Sequence, residues 1–479
     1  MTHRGRTARN AVAAVAVMLM MTAFSMAQYS ETPVYTFTGS KDGALPGNQF
    51  VSDSAGNLYG TTDAGGNQST SCALNTGELG CGVVFKLSPG ANGTWTETVL
   101  HTFTGGKDGA LPYGGVILDS AGNLYGTTYD GGDEKPKVCQ AGSNYPAGCG
   151  VVYELTPTAH GPWKETVLYT FTGGKDGAFP WGSVVFDGSG NLYGASQEGG
   201  VDSCNPPYGC GVVFKLTPTK QGPWNETVLY TFDNVGAGLI PVGGVTFDSG
   251  GNLYGVTFNG GDKSVECYGV TGCGVVFKLT PTAHGPWKES VPHAFTGGRD
   301  GGYPQGTPLV NQNGNIYGTT VFGGDTERSK STCDRNERGN PLGCGVVYEL
   351  TPGANGAWKY TVLYRFIGDK DGSLARSPVI FDSARNLYSQ TVNGGDPSCN
   401  NGYGCGVVFE LTPTANPPWT ETVLYAFTLG KDGGIGQSNL LLDSAGDIFG
   451  MVDGGGDDSE CPGNHLADYG CGVVFELTP

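Results

Sequence analysis

The chain has 479 residues, of which 84 are glycine, and aromatic residues make up 11% of it. This composition excludes a disordered low-complexity chain, because the aromatic side chains can build a core. The formal net charge of −18 argues against nucleic acid as a partner, since nucleic-acid-binding proteins neutralise phosphates with clustered Lys and Arg. Neutral sugars, peptides, cations and protein surfaces remain as partners.

The first residues have the pattern of an export signal. Three arginines precede an apolar run from Ala11 to Phe24, which small residues follow. An uncleaved membrane anchor is the alternative, but a run of about 14 residues is shorter than the roughly 20 that span a bilayer. We predict a signal peptide over residues 1–27 and one mature domain over residues 28–479. The mature protein is then secreted or periplasmic, with no membrane attachment.

One motif recurs seven times along the chain. In the second copy, the runs GGVILD, NLYGTT, CGVVYEL and ETVLYTF follow one another, and each is rich in Val, Tyr, Phe or Thr and bounded by turn residues. Such runs are typical of β-strands, which we name a, b, c and d in this order. Strand c begins in the seven copies at Cys81, Cys149, Cys210, Cys273, Cys344, Cys405 and Cys471.

Four strands repeated seven times predict an all-β fold, a seven-bladed β-propeller with four antiparallel strands per blade. The segment from Tyr29 to Phe37 aligns with strand d of later copies, and the last copy ends at Pro479 without a strand d. We expect the N-terminal strand to complete the last blade, because this pairing removes an open sheet edge.

Three recurring features have both a structural and a functional interpretation. The DSAGN sequence from Asp53 fits a turn better than a calcium loop, because it offers few carboxylates. The KDG motif between strands d and a, first at Lys41, fits an Asp-Gly turn better than a ring of binding carboxylates. Tryptophans before strand d fit blade packing better than a sugar-stacking ring; they are Trp95, Trp163, Trp224, Trp287, Trp358 and Trp419.

The tandem repeat resembles a known family. The pattern GGxxxDxxGNLYGTTxxGG followed by CGVVF[KE]LTP is similar to the GloVer (Gloeo_Verruco) repeat of exported bacterial proteins. The resemblance covers essentially the whole mature chain and rests on fixed positions that recur seven times. It implies an exported propeller-like protein and carries no reaction with it. No sorting segment follows the last copy, so we expect no surface anchor.

Fourteen cysteines fall into seven local pairs, one in each b–c loop. In an exported protein this pattern predicts disulfides. Zinc binding is the alternative, but each loop offers two Cys and no recurring His, whereas a zinc site needs four ligands. We therefore expect no metal and no cofactor. The predicted pairs are Cys72–Cys81, Cys139–Cys149, Cys204–Cys210, Cys267–Cys273, Cys333–Cys344, Cys399–Cys405 and Cys461–Cys471.

No catalytic motif is apparent in the sequence. The His residues share no spacing with a nucleophile, and the GGKDG stretches lack the strand-to-helix context of a phosphate loop. A carboxylate pair for glycoside cleavage stays open, because acidic residues are numerous. We favour a non-catalytic binding or scaffolding protein over a secreted glycoside hydrolase or lyase that uses acidic residues at the channel mouth.

One position varies between copies directly after the d–a turn. Strand a of a propeller lines the central channel, and the d–a and b–c loops share one face, so this position lies at the channel mouth. Ligand recognition and unconstrained drift both explain the variation. We predict that the ligand is a glycan or a protein and that the protein is a monomer. Tyr113 and Trp181 supply apolar contact to this ligand. Hydrogen bonds to it come from Gln305, Arg376 and Gln437. The other copies have Gly47 and Val242 there.

Overall fold

The structure is a computed structural model in which residues 29–479 are described, except 48, 68–71, 73–79, 133–138, 140–147, 160, 202–203, 207, 221, 268, 284, 326–332, 334–341, 457–460 and 462–469. The predicted signal peptide, residues 1–27, lies outside the described residues. Within the described part of the chain, no helix has the length and apolar character needed to cross a membrane.

Seven antiparallel sheets, each in the order a, b, c, d, confirm the predicted seven-bladed propeller. We number the blades along the chain from the one whose strand c follows Cys81. Strands a are Val51–Ser52, Val116–Leu118, Val185–Phe186, Leu239–Phe247, Gly302–Pro304 with Leu309–Val310, Ile380–Phe381, and Gly434–Gly436 with Leu441–Leu442. Strands b are Leu58–Thr62, Leu124–Thr128, Leu192–Ser196, Leu253–Asn259, Ile316–Phe322, Leu387–Gln390 and Ile448–Gly454.

The outer strands are longer than most inner ones. Strands c are Val83–Pro89, Val151–Thr156, Val212–Thr217, Val275–Thr280, Val346–Pro352, Val407–Thr412 and Val473–Thr478. Strands d are Trp95–Thr102, Lys164–Thr170, Asn225–Thr231, Lys288–Ala294, Trp358–Arg365, Thr420–Ala426 and, for blade 7, Ser30–Thr36. A small hairpin, Glu266–Cys267 with Val270–Thr271, and short 3-10 turns at Ala91–Gly93, Val235–Ala237, Ala354–Gly356 and Asn400–Gly402 complete the described elements.

The two ends of the chain meet in blade 7, as predicted. Ser30–Thr36 pairs antiparallel with Val473–Thr478, with Ser30 opposite Thr478 and Thr36 opposite Val473. Beyond the strand, the Phe37 N–H donates to the Gly472 carbonyl over 3.1 Å. The N-terminal strand therefore closes the ring by covering the free edge of the last strand c.

Aromatic pairs hold neighbouring blades together. The Phe that ends strand d of one blade packs edge-to-face on the Phe or Tyr of strand c in the next, as in Phe37–Phe85 with 5.1 Å between ring centroids. The glycine of each NLYG run makes room for this ring, since a Cβ on Gly60 would lie 2.7 Å from the Phe85 ring. Edge-to-face rings are a favourable geometry, so the repeat encodes its own blade stacking.

The tryptophans before strand d pack between blades. The Trp163 N–H donates to the Leu100 carbonyl of the preceding blade over 3.0 Å, and its ring lies 6.1 Å from that of Tyr59. The same contact recurs at Tyr125–Trp224, Tyr193–Trp287 and Tyr254–Trp358. These tryptophans are structural, in line with the predicted packing role.

Both recurring Asp side chains accept hydrogen bonds within their own turns. Asp53 accepts hydrogen bonds from the backbone N–H groups of Ala55 and Asn57 and from the Asn57 amide. In the KDG loop, Asp42 accepts from the Thr38 N–H over 2.8 Å and from the Thr38 hydroxyl over 2.7 Å. Carboxylates with these local donors stabilise turns, which is the interpretation favoured from the sequence.

All seven predicted disulfides are present, and the described residues contain no free cysteine. Each links the two ends of its own b–c loop, with Cα–Cα distances from 5.0 to 5.7 Å. Seven disulfides in one chain indicate an oxidising, extracellular environment.

Removing one disulfide should measurably destabilise the protein. Cys139 and Cys149 close a loop with a sequence separation of 10, for which the loop-entropy argument gives about 2–3 kcal/mol. We expect the double variant Cys139→Ala/Cys149→Ala to unfold at lower urea concentration by that free energy. An unchanged midpoint in equilibrium urea unfolding, with the other six disulfides verified by peptide mapping, would show that the loop gains nothing from its bond.

Candidate ligand site at the channel mouth

The rim of the channel is built from seven residues with left-handed backbone, one at the start of each strand a. Their φ angles lie between 55° and 65°, although all are bulky residues for which this conformation is unfavourable. Each donates its N–H over 2.8–3.1 Å to the carbonyl of the second disulfide cysteine in the preceding blade. The residues are Leu45, Leu111, Phe179, Ile240, Tyr303, Leu374 and Ile435. Disulfides and strained rim residues thus fix the mouth jointly.

The variable position follows two residues after each rim residue, and the structure brings the predicted side chains together. A pocket of about 400 Å³ at the mouth is lined by all five predicted ligand-binding residues: Tyr113, Trp181, Gln305, Arg376 and Gln437. Gly47 also lines it. Val242 does not; its side chain is buried in the blade 4 core, and its neighbour Gly243 lines the pocket instead.

One wall of the pocket is aromatic. The Trp181 ring lies 4.7 Å from that of Tyr113 and 5.5 Å from that of Tyr129, which in turn stacks on buried Phe179 at 4.9 Å. Trp181 remains 42% exposed, whereas Phe179 is 5% exposed. Blades 2 and 3 therefore present a supported aromatic surface to the pocket, and its outermost ring is accessible to a ligand.

The opposite wall is polar and internally bonded. The Gln437 amide donates over 2.5 Å to Oδ2 of Asp453, and its carbonyl oxygen accepts from the Arg376 guanidinium over 3.4 Å. Because Arg is donor-only, it fixes which way the Gln437 amide points. Burial raises the pKa of Asp453 to about 7, against the lowering effects of the Gln437 hydrogen bond and the Arg376 charge. Blades 6 and 7 thus hold a chain of three hydrogen-bonded side chains at the mouth.

The side chain of Asp453 leaves room only for a glycine at position 47. A Cβ at residue 47 would lie 1.9 Å from Oδ1 of Asp453, an oxygen that is buried and has no hydrogen-bond partner among the described residues. Asp63, from blade 1, lines the same pocket. Two carboxylates from neighbouring blades therefore flank the glycine gap between the polar and the aromatic wall.

Sequence analysis missed both carboxylates. Asp63 and Asp453 occupy equivalent places at the end of strand b, directly before the loop that leads to the disulfide. This place is a second variable position in the alignment of the seven copies. The residues there are Asp63, Tyr129, Gln197, Phe258, Val321, Val392 and Asp453. Comparing this column with the first would have identified the site as a surface formed by two loops per blade.

The floor of the pocket is backbone and glycine. A Cβ on Gly182 would lie 1.9 Å from the Gly243 carbonyl oxygen of the next blade, so neighbouring backbones are in contact below the mouth. Thr127 of blade 2 donates its hydroxyl to the Gly182 carbonyl of blade 3 over 3.1 Å, across the preceding seam. In the described ranges, no three His, Cys, Asp or Glu side chains are grouped to hold a metal ion. Closely packed backbone from neighbouring blades thus forms the floor of the pocket.

The sequence model of the Gloeobacter/Verrucomicrobia repeat matches residues 70–332 and 265–479, which together include almost all of the propeller. The chain belongs to this repeat family. The family match agrees with the resemblance seen in the tandem motif and extends it over the described blades. No curated protein matches the sequence of this repeat protein.

The solved structures described next are remote from this repeat protein in sequence. One is a fungal alcohol oxidase of the AA5 family in complex with copper, with 12% identity, 94% and 77% of the two chains covered, and a TM-score of 0.49. Others are the Trichoderma reesei AA12 enzyme (11%, 94% and 96%, 0.40) and a gluconolactonase from Xanthomonas campestris (12%, 75% and 85%, 0.37). At such identities and TM-scores, these likenesses carry no conclusion about activity.

Proposed function

We propose that this protein is an exported, non-catalytic carbohydrate-binding propeller that holds a neutral saccharide at its channel mouth. The observation that carries the proposal is the pairing of an exposed, supported aromatic surface at Trp181 with a hydrogen-bonding wall at Arg376 and Asp453 around one pocket. A sugar ring has apolar C–H faces and polar hydroxyl edges, so it complements such a pocket.

Pocket size and charge support the same ligand class. About 400 Å³ lies within the roughly 300–1,000 Å³ of small-molecule sites. The net charge of −18 and the carboxylates Asp63 and Asp453 disfavour polyanions. The rigid rim reduces the entropy lost on binding, which favours recognition of a weak polar ligand. Seven disulfides and the predicted signal peptide over residues 1–27 support a role outside the cytoplasm.

A carbohydrate-active enzyme is the second candidate. The observation that favours it is the presence of Asp63 and Asp453 in one pocket, with the pKa of Asp453 raised to about 7 by burial. Glycoside cleavage uses two carboxyl groups of which one is protonated. Against it, Asp453 is engaged by Gln437, and its second oxygen is enclosed against Gly47 rather than presented to the pocket.

One experiment separates the two candidates. Purified protein is incubated with insoluble cellulose, xylan, β-1,3-glucan and galactomannan, and both retention and new reducing ends are measured, with polygalacturonate as an acidic comparison. Retention on a neutral polysaccharide without new reducing ends supports binding. New reducing ends that disappear in Asp63→Asn and Asp453→Asn would instead establish the enzyme. Neither retention nor new reducing ends on any polysaccharide would contradict both candidates.

Truncating the exposed aromatic ring should weaken saccharide binding. We expect Trp181→Ala to lower affinity for a retained disaccharide by about 1–3 kcal/mol, because a truncated aromatic anchor commonly costs this much. Val270→Ala is a matched control, since Val270 is 40% exposed but does not line the pocket. Isothermal titration measures both variants. Equal affinities of Trp181→Ala and the wild type, with both folded, would place the ligand elsewhere.

A further inference from the structure

Two tyrosines in the b–c loops are exposed. Tyr208, in the b–c loop of blade 3, is 37% exposed, and Tyr403, in the b–c loop of blade 6, is 43% exposed. Tyrosine is enriched at binding surfaces, because its ring offers an apolar face and its hydroxyl a polar edge. In the described residues, they and Trp181 are the exposed aromatic side chains of the protein.

The two tyrosines occupy matching, rigid positions. Each lies in a Tyr-Gly-Cys sequence. The loops that contain them are closed by the disulfides Cys204–Cys210 and Cys399–Cys405, whose cysteines have a sequence separation of 6. The Tyr208 carbonyl accepts from the Gly199 N–H over 2.7 Å, and the Tyr403 carbonyl accepts from the Gly394 N–H over 2.8 Å. Backbone hydrogen bonds and disulfides therefore hold the backbone of both tyrosines in place, and neither contact uses the ring.

The two tyrosines belong to blades on opposite sides of the propeller. Trp181 and Tyr208 belong to blade 3, while Arg376 and Tyr403 belong to blade 6. In a ring of seven blades, blades 3 and 6 are three steps apart, which is as far apart as two blades can be. Tyr208 and Trp181 therefore lie on one side of the ring of blades, and Tyr403 and Arg376 lie on the other.

The b–c loops that contain the two tyrosines are short. The disulfide-bonded cysteines are 6 residues apart in blades 3, 4 and 6, but 9 to 11 residues apart in blades 1, 2, 5 and 7. Less chain is thus available over the rim in blades 3 and 6 than in most blades. The aromatic rings stand in the shortest of these loops, where a long ligand leaving the pocket meets the least chain.

We propose that the ligand is an extended neutral polysaccharide chain that crosses the mouth from blade 3 to blade 6, with Tyr208 and Tyr403 as outer stacking positions for its sugar rings. This inference rests on the carbohydrate-binding function proposed above. The pocket holds the central sugar, and the two tyrosines contact sugars farther along the chain. The protein then binds internal stretches of a polymer and has low affinity for short fragments.

Chain length is the variable that tests this arrangement. Disaccharides and hexasaccharides of β-1,4-glucan, β-1,3-glucan and β-1,4-xylan are titrated into the intact disulfide-bonded protein. We expect hexasaccharide of the series that binds to have at least about tenfold higher affinity than its disaccharide, because the outer rings add contacts made by the longer chain alone. Tyr208→Ala and Tyr403→Ala should each lower hexasaccharide affinity about three- to tenfold and leave disaccharide affinity unchanged.

Conservative variants separate stacking from loop damage. Tyr208→Phe and Tyr403→Phe keep the ring and should retain hexasaccharide affinity, whereas Trp181→Ala should weaken both ligands. Equal affinities of disaccharide and hexasaccharide, or alanine variants that bind hexasaccharide like the wild type, would overturn the extended site while leaving the pocket function intact. Failure of wild-type protein to bind any saccharide of either length would overturn the proposed function and this inference with it.

Discussion

A chain that begins at Gly39 should lose the cooperative fold of the propeller. It lacks the strand Ser30–Thr36, whose partner Val473–Thr478 then becomes an open edge. It also lacks Phe37, which is fully buried against Phe85 of blade 1. Loss of one buried Phe side chain alone costs about 3–5 kcal/mol, and the lost strand pairing adds to that. We expect a broadened thermal transition with its midpoint lowered by well over 10 °C, or insoluble protein.

Two controls make this deletion interpretable. A chain that begins at Tyr29 keeps the closing strand and should melt like the mature protein. Phe37→Ala keeps the strand but loses the aromatic contact, so its loss of stability should lie between the other two. Differential scanning calorimetry compares all three. If the chain from Gly39 melted within a few degrees of the chain from Tyr29, the closure of blade 7 would contribute little to the fold.

Thermal stability should be higher at pH 5 than at pH 8. Six of the seven strands d have a partly buried Glu at the same position: Glu31, Glu97, Glu165, Glu226, Glu289 and Glu421. Burial raises the pKa of each from 4.5 to about 7 or about 8. In five seams the Asp of the adjacent KDG loop raises it further, as Asp42 does for Glu97. Neighbouring blades therefore bring acid groups together.

The direction follows from proton binding. The folded protein holds these six protons more tightly than the unfolded chain, whose Glu pKa is 4.5. The stabilisation is complete below pH 4.5 and is lost as pH rises through 7 to 8. Asp residues with a lowered pKa, such as Asp53 and Asp119, have the opposite effect on stability. They stabilise the folded protein when they are ionised, and this stabilisation is lost only at acid pH, below the ordinary Asp pKa of 3.8. They are ionised throughout the range from pH 5 to pH 8.

Solvent screening reduces the size of this effect. Because the six carboxyl groups remain partly exposed, we discount each to about 0.5–1 kcal/mol, or about 3–6 kcal/mol together. For a chain of this length, that corresponds to about 3–6 °C in the melting midpoint. Glu97→Gln is the matched variant: it should melt like the wild type at pH 5 and above it at pH 8. A midpoint that is level or rises between pH 5 and pH 8 would contradict the account.

Repeat alignment predicted those parts of the fold that recur in every blade. The pairing of Ser30–Thr36 with the last strand, the seven disulfides and the rim position of Trp181 all follow from matching one copy with another. The left-handed rim could not be predicted, because residues such as Leu45 and Ile240 give no sequence signal for positive φ. Each of these residues also donates its N–H to a cysteine carbonyl of the neighbouring blade, a contact between distant parts of the chain.

The polar wall of the pocket was predicted only in part. Arg376 and Gln437 share the variable column that the repeat alignment identified, whereas Asp453 belongs to the column at the end of strand b, and the ring geometry brings it to Gln437. The raised pKa of Glu97 was also missed, because alternation in strand d marks it as an outward polar residue. Burial raises this pKa, and Asp42, from the loop that follows strand d of blade 7, raises it further.

The most direct test of carbohydrate recognition at the mouth is a crystal structure of the mature protein with a bound hexasaccharide. We predict one sugar ring in the pocket against Trp181 and Tyr113, with the chain continuing toward Tyr208 and Tyr403. A hexasaccharide bound on another face, with the mouth occupied by solvent alone, would contradict the assignment of the site.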